Sequence, residues 1–137
     1  MDHEYIEMCK RSENIQSYCM FNDGDLLADE NGIVYLKVSK DEDYCILKKR
    51  TLTGSCCSLS APITGSDEYR IEKSKLFWVP RQDDVQALIS IPASRLLDKF
   101  IEYYSSLKSK PDLPEKAWIM FYMDFYENSF WNGESWV

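Results

Sequence analysis

The first apolar positions of the chain recur with a helical period. Across residues 3–18, side chains such as Tyr5, Met8 and Ile15 stand three or four positions apart along the apolar face, with charged residues between them. That spacing is typical of an amphipathic helix with one buried face. Asp2 directly precedes the pattern and is suited to cap its first turn. The chain is therefore predicted to begin with a helix.

The helical period returns in the last third of the chain. A short helix is predicted after Pro80, and a longer one over residues 93–108 has its apolar side chains on one face. A third helix, over residues 114–126, is apolar almost all round its circumference. A helix of that kind is usually buried at the centre of its domain.

Between these helical regions the pattern shortens to the two-residue period of strands. Residues 25–28 and 33–38 flank Asn31-Gly32, a pair that favours a tight hairpin turn. Residues 44–49 predict a third strand, and residues 69–79 predict a fourth. The predicted fold class is α+β, with an N-terminal helix, a small antiparallel β-meander and a C-terminal three-helix region with a central buried helix.

Length and composition favour one domain over residues 1–137. Two domains would each approach the size at which a core becomes marginal, and 45% of the residues are apolar. No signal peptide is apparent, and the apolar stretch at residues 118–126 is too short to cross a bilayer. A cytoplasmic protein without membrane association is expected.

The charge of the chain argues against direct binding of nucleic acid. The net charge is −7, and the first thirty residues hold eight acidic side chains against two basic ones. Such a surface repels phosphate. An acidic inhibitor that imitates DNA and blocks a host defence protein is one alternative. DNA mimics usually spread their acidic groups over the whole surface, however, and here they cluster.

Few residues of the chain are suited to catalysis or metal binding. The only histidine, His3, lies at the terminus, and the five cysteines include no Cys-x-x-Cys pair. All five are expected to be free thiols, and Cys56 and Cys57, in a predicted loop over residues 51–68, are the only cysteine candidates for a nucleophile. We expect no metal and no cofactor. An enzyme with an unrecognised carboxylate or cysteine site is the alternative to a non-catalytic protein.

Two segments are candidate binding surfaces. At the strand-to-helix junction that follows Trp78, Arg81, Gln82 and Gln86 are able to present a polar recognition surface, although helix capping and core packing also explain this stretch. Near the end, eight of the nineteen aromatic residues fall within residues 118–137. They form either core or a platform for a partner.

The two tryptophans nearest the C-terminus, Trp131 and Trp136, flank Asn132-Gly133, a pair that again signals a tight turn. They are therefore predicted to fold back on one another or onto the third helix. The candidate binding residues are Trp78, Arg81, Gln82, Gln86, Trp131 and Trp136.

Several of these landmarks occur together in a known group of proteins. They are Glu4-Tyr5-Ile6-Glu7-Met8-Cys9, Ile15-Gln16, Gly24-Asp25, Trp78-Val79-Pro80-Arg81-Gln82-Asp83 with Gln86, and Trp118, Met123 and Trp131-Asn132-Gly133-Glu134-Ser135-Trp136-Val137. In this order they resemble small uncharacterised proteins of bacteriophages and prophages. The resemblance implies a phage or mobile-element origin, and with it a place in the host bacterial cytoplasm, and assigns no activity. The expected function is that of a phage accessory protein, a non-catalytic interaction module with an unidentified protein partner.

Overall fold

The structure is a computed structural model that describes residues 2–49 and 68–137. It confirms the predicted α+β class, because the described residues form five α-helices and one antiparallel sheet. They divide into two compact units, one ending at Pro80 and the other beginning at Arg81. The prediction of a single domain over residues 1–137 stays a prediction. Most of the predicted loop, with Cys56 and Cys57, lies outside the described residues.

The predicted N-terminal helix is present but interrupted. Helix α1 spans His3–Lys10 and α2 spans Glu13–Gln16. Asp2 caps α1 as predicted, since its carboxylate accepts a hydrogen bond from the Tyr5 backbone N–H at 2.9 Å. The prediction of one continuous helix over residues 3–18 was wrong at Ser12, where the backbone N–H bonds the Cys9 carbonyl in a tighter turn.

Five strands form the sheet in the order β4-β3-β2-β1-β5, and every pair is antiparallel. The predicted strand over residues 69–79 is in fact two strands at opposite edges of this sheet, separated by a short 3-10 helix at Lys73–Lys75. The strand bounds are Leu26–Ala28 for β1, Val34–Lys40 for β2, Tyr44–Lys49 for β3, Glu68–Glu72 for β4 and Phe77–Trp78 for β5.

The short strand β1 lies at the centre of the N-terminal unit's core. All three of its residues are fully buried, so both of its faces are covered. Leu27 stands opposite Tyr35 on one side and opposite Trp78 on the other. Helix α1 is fastened to the end of β5, because the Tyr5 hydroxyl donates to the Pro80 carbonyl at 2.6 Å.

A side chain, rather than another strand, covers the outer edge of β5. The Gln16 amide accepts from the Trp78 N–H at 2.8 Å and donates to the Trp78 carbonyl at 2.8 Å, as a neighbouring strand would. The same amide nitrogen also lies 3.0 Å from the Cys9 carbonyl. Unpaired strand edges invite association with other chains. Gln16 therefore joins helix to sheet and protects the edge at once.

We expect Gln16→Ala and Gln16→Glu both to lower the free energy of unfolding, each by about 2 kcal/mol. Alanine removes all three hydrogen bonds, and a carboxylate retains the one from the Trp78 N–H but has no proton to donate to the two carbonyls. Urea denaturation of the full chain measures the difference. A Gln16→Glu variant as stable as the unchanged protein would show that the donated bonds contribute nothing.

The C-terminal unit contains the three predicted helices. They are α3 at Gln82–Leu88, α4 at Ala93–Ser106 and α5 at Pro114–Glu127. Helix α5 is the buried central helix that the sequence predicted, and the buried side chains lie in its first ten residues. Helix α4 has no fully buried residue, although one of its faces is apolar.

The last eight residues fold back as predicted. Phe130 and Val137 exchange two backbone hydrogen bonds of 2.9 Å, and Trp131 pairs with Trp136 across the turn. The two indole rings meet edge to face with their centroids 5.2 Å apart. Gly133 has a φ of +102°, a conformation that favours glycine. The prediction that the two tryptophans pack on one another is confirmed.

Candidate functional site

A groove of about 480 Å³ opens in the C-terminal unit. Helix α3 supplies Gln82 and Gln86 to its lining, and the connection between α4 and α5 supplies the segment from Pro111 to Pro114. The remaining lining residues come from α4 and α5 and are mostly aromatic. Pockets of this size that combine an apolar wall with a few polar groups are typical of ligand sites.

The aromatic wall of the groove is a stack of rings. Phe100 on α4 lies against Trp118 on α5 with ring centroids 3.8 Å apart and an angle of 7° between the planes. Tyr104, one turn further along α4, lies 5.8 Å from Phe100. Leu97, one turn before Phe100, also lines the groove and is 59% exposed. The wall is therefore fixed by packing at Trp118 and open to solvent at Leu97.

Two glutamines on α3 also line the groove. Gln82 and Gln86 are four residues apart and thus lie on the same side of the helix. Both are half-buried, and neither side-chain amide has a hydrogen-bond partner among the described residues. Polar groups that no protein atom bonds are normally satisfied by water. Two amides without a protein partner are available to a ligand.

Trp118 adds a third polar group to the lining. It is only 5% exposed, and its indole N–H has no acceptor within the described part of the chain. Indole is a donor only, so the group can be satisfied by a carbonyl or by water. The groove thus combines an apolar wall with polar groups that water or a ligand can bond.

Helix α3 is held in place by bonds at both of its ends. The Arg81 N–H donates to the Asp84 carboxylate at 2.8 Å, which caps the first turn. At the other end, the Tyr126 hydroxyl of α5 accepts from the Ser90 N–H at 2.6 Å. Val85, between the two glutamines, is fully buried. These contacts fix the orientation of the side on which Gln82 and Gln86 lie.

One charge lies on the rim of the groove. Asp112 is 71% exposed and accepts a hydrogen bond at 2.8 Å from the ammonium group of Lys116, whose side chain is buried. The bond from Lys116 lowers the pKa of the Asp112 carboxyl, so this residue is ionised at neutral pH. Among the described lining residues it alone is charged.

The structure brings two of the six sequence-predicted binding residues together in the groove, Gln82 and Gln86. Arg81 directly precedes α3 as its N-cap residue and is not among the residues that line the groove. Trp131 and Trp136 pair with each other in the terminal hairpin.

The sixth predicted residue, Trp78, is part of the core of the N-terminal unit. It is almost fully buried, and its indole N–H has no acceptor among the residues that the structure describes. By contrast, Phe100, Tyr104 and Trp118 line the groove, although none of the three was among the candidate binding residues predicted from the sequence. The signal available in the sequence was an apolar face on α4 too broad for its neighbours to bury.

A second cavity, of about 430 Å³, lies in the N-terminal unit beside the β2–β3 turn. Two contacts tie its lining together, since Lys73 donates to the Glu42 carbonyl at 2.9 Å and the Tyr44 hydroxyl lies 3.4 Å from Glu72. Next to it the Arg70 guanidinium covers the Tyr44 ring at 3.7 Å. Apart from Tyr44, the described lining of this cavity is polar or charged, so it lacks the apolar wall of the groove.

Cys9, Cys19 and Cys45 are free thiols, and burial raises the pKa of each. The pKa of Cys19 rises to about 11. Because the thiolate is the nucleophile, these cysteines are poor candidates for covalent catalysis at neutral pH. No group of three or more His, Cys, Asp or Glu side chains in residues 2–49 and 68–137 is arranged to hold a metal ion.

The thiols of Cys9, Cys19 and Cys45 should react slowly in the folded protein. In a variant with Cys56 and Cys57 changed to serine, we expect Ellman's reagent at pH 8 to label Cys19 about a hundredfold more slowly than an ordinary thiol, since its pKa is raised from 9.0 to about 11. Labelling should accelerate as the pH approaches 11, and in denaturant at any pH. Rapid labelling of the folded variant at pH 8 would contradict this.

Comparisons with known proteins assign no family to the chain. No protein-family model, no curated protein and no solved structure matches it. Among the described residues, no helix is long and apolar enough to cross a membrane. The candidate site is therefore defined by the geometry of its own residues.

Proposed function

We propose that the chain is a non-catalytic protein-interaction module, and that its C-terminal groove binds a short segment of a partner protein. The observation that carries this proposal is the pairing of an aromatic wall with two glutamine amides that have no partner among the described residues. The wall supplies affinity by burying apolar side chains, and the amides supply specificity by bonding a polypeptide backbone.

The nature of the groove supports a protein partner over a nucleic acid. Its lining includes one ionised carboxylate, Asp112, and no cation among the described lining residues. A phosphate backbone entering the groove would meet that negative charge, whereas nucleic-acid grooves are lined with Lys and Arg. A polypeptide segment has no such penalty.

Catalysis has less support than binding. The described cysteines are held as neutral thiols by burial, and the groove contains amides, aromatic rings and one carboxylate paired with a lysine. A carboxylate whose pKa is lowered by its partner is a weak general base. These features favour recognition without a chemical step.

We also propose that the protein is a phage or prophage accessory factor that acts on a host or phage protein. This proposal is supported by the resemblance of the motif Trp78–Asp83 with Gln86, and of the closing segment from Trp131 to Val137, to proteins of bacteriophages. Gln82 and Gln86 belong both to that motif and to the groove lining.

Peptide selection with mapping of the bound residues tests the proposed function. A random-peptide display library is selected on the full chain, and the enriched peptides are titrated into ¹⁵N-labelled protein. We expect saturable shifts of the side-chain amide signals of Gln82 and Gln86 and of the indole signal of Trp118. If no peptide is enriched, or if the shifts fall on other residues, the groove is not a peptide site.

A further inference from the structure

We infer that the occupant of the groove is a proline-rich segment in the polyproline II conformation, with a basic residue beside Asp112. This inference rests on the proposed function and names the chemistry of the partner. It follows from three properties of the lining: donors and amides without partners, a wall of aromatic rings, and a single negative charge at the rim.

The unpaired polar groups discriminate between backbone conformations. An α-helical occupant has its carbonyl groups bonded within the helix, so it would bury the amides of Gln82 and Gln86 and the indole N–H of Trp118 without partners. A polyproline II segment has no internal hydrogen bonds, and its carbonyls remain free acceptors. A donor such as the Trp118 N–H therefore fits this conformation better than it fits a helix.

The aromatic wall suits the side chains of such a segment. Proline residues present flat, rigid rings, and grooves lined with aromatic side chains are the general means by which proline-rich segments are bound. Here the rings of Phe100 and Trp118 form that wall on two helices, and Tyr104 lies beside Phe100 with the Lys110 ammonium 5.0 Å from its ring centroid. Since proline segments are already extended before binding, little conformational entropy is lost.

Charge complementarity sets the direction of the segment. Lys116 bonds one carboxylate oxygen of Asp112, and the side chain as a whole is 71% exposed. An arginine or lysine near one end of the bound segment can reach the exposed part of this carboxylate. An acidic residue at the same position would be repelled.

Synthetic peptides test the inference by fluorescence anisotropy. One short labelled peptide has prolines at alternate positions and an arginine at one end. A second has every proline replaced by alanine, and a third has the arginine replaced by glutamate. We expect the first to bind at least tenfold more tightly than either of the others. We also expect Trp118→Phe, which keeps the aromatic ring and removes the N–H, to weaken binding of the first peptide about tenfold.

Circular dichroism establishes whether Trp118→Phe remains folded, and Gln82→Ala/Gln86→Ala is the second variant if it does not. Ala87→Ser, at an exposed position of α3 outside the groove lining, should bind like the unchanged protein. If the groove selects peptides that lack proline, or binds the alanine peptide equally well, the inference is wrong while the proposed function stands. If no peptide binds in the groove, both are wrong.

Discussion

Replacing Trp118 with alanine is expected to lower the free energy of unfolding by about 3–5 kcal/mol, the usual cost of truncating a buried aromatic side chain. The Trp118 ring is 5% exposed, stacks on Phe100 at 3.8 Å and meets Phe121 edge to face at 6.0 Å. Removing it leaves a cavity between α4 and α5. Chemical denaturation of the full chain, followed by far-UV circular dichroism, measures the change.

Leu97→Ala provides the control for the truncation of Trp118. Leu97 also lines the groove, but its side chain is 59% exposed, so the change should cost less than about 0.5 kcal/mol. A Trp118→Ala variant that unfolds at the same denaturant concentration as the unchanged protein would mean that the aromatic wall is not packed as described. An equally large loss of stability for Leu97→Ala would mean that the Leu97 side chain is buried in solution and not exposed as described.

The second large effect is expected at Lys37, in the middle of β2. Its side chain is 2% exposed, it lies opposite Leu47, and its ammonium group pairs with the largely exposed carboxylate of Asp23. Lys37→Ala removes a buried aliphatic stem and should cost about 2–4 kcal/mol. Lys37→Met retains most of the stem, so its cost should stay below about 1 kcal/mol.

The comparison of the two Lys37 variants separates packing from charge. Asp23 remains hydrated when its partner is replaced by methionine, so losing the ion pair itself is inexpensive. Urea denaturation of both variants gives the two values. If Lys37→Met is as destabilising as Lys37→Ala, the ion pair rather than the buried stem stabilises this part of the sheet.

Much of the fold follows from local patterns. The two wrong predictions, one continuous helix over residues 3–18 and one strand over residues 69–79, have a common cause. The hairpin at Asn31-Gly32 and the strand at Tyr44–Lys49 were predicted correctly because turn residues and alternation are local signals. The break at Ser12 was missed because it goes with a distant contact. Just after the break, Gln16 bonds Trp78, a residue 62 positions away. No local pattern contains that information.

The same limit explains the error over residues 69–79. The extended segment with its apolar end predicted one strand, and each half of the segment is indeed extended. Pairing with β3 in one half and with β1 in the other requires the chain to cross from one edge of the sheet to the other, through the turn at Lys73–Lys75. Which strand an extended segment pairs with is decided by tertiary contacts.

The candidate site was predictable in part. Gln82 and Gln86 were singled out because polar residues follow the strand-to-helix junction, and both line the groove. Phe100 and Trp118 lie on different helices, and neither was singled out as a binding residue. Their role as a wall depends on the stacking between α4 and α5, and on α3 leaving that wall open. A sequence pattern states that a residue is apolar, but not which of its sides remains uncovered.

The central claim is that the groove binds a peptide, and a pair of substitutions on α3 tests it most directly. Gln86→Trp fills the groove with a large side chain, whereas Ala87→Trp adds the same side chain at the next, exposed position outside the lining. Isothermal titration calorimetry with a peptide selected on the unchanged protein gives the dissociation constant for each variant. We expect Gln86→Trp to weaken binding at least about a hundredfold and Ala87→Trp to change it less than about twofold. Equal affinities of the two folded variants for the peptide would contradict the claim.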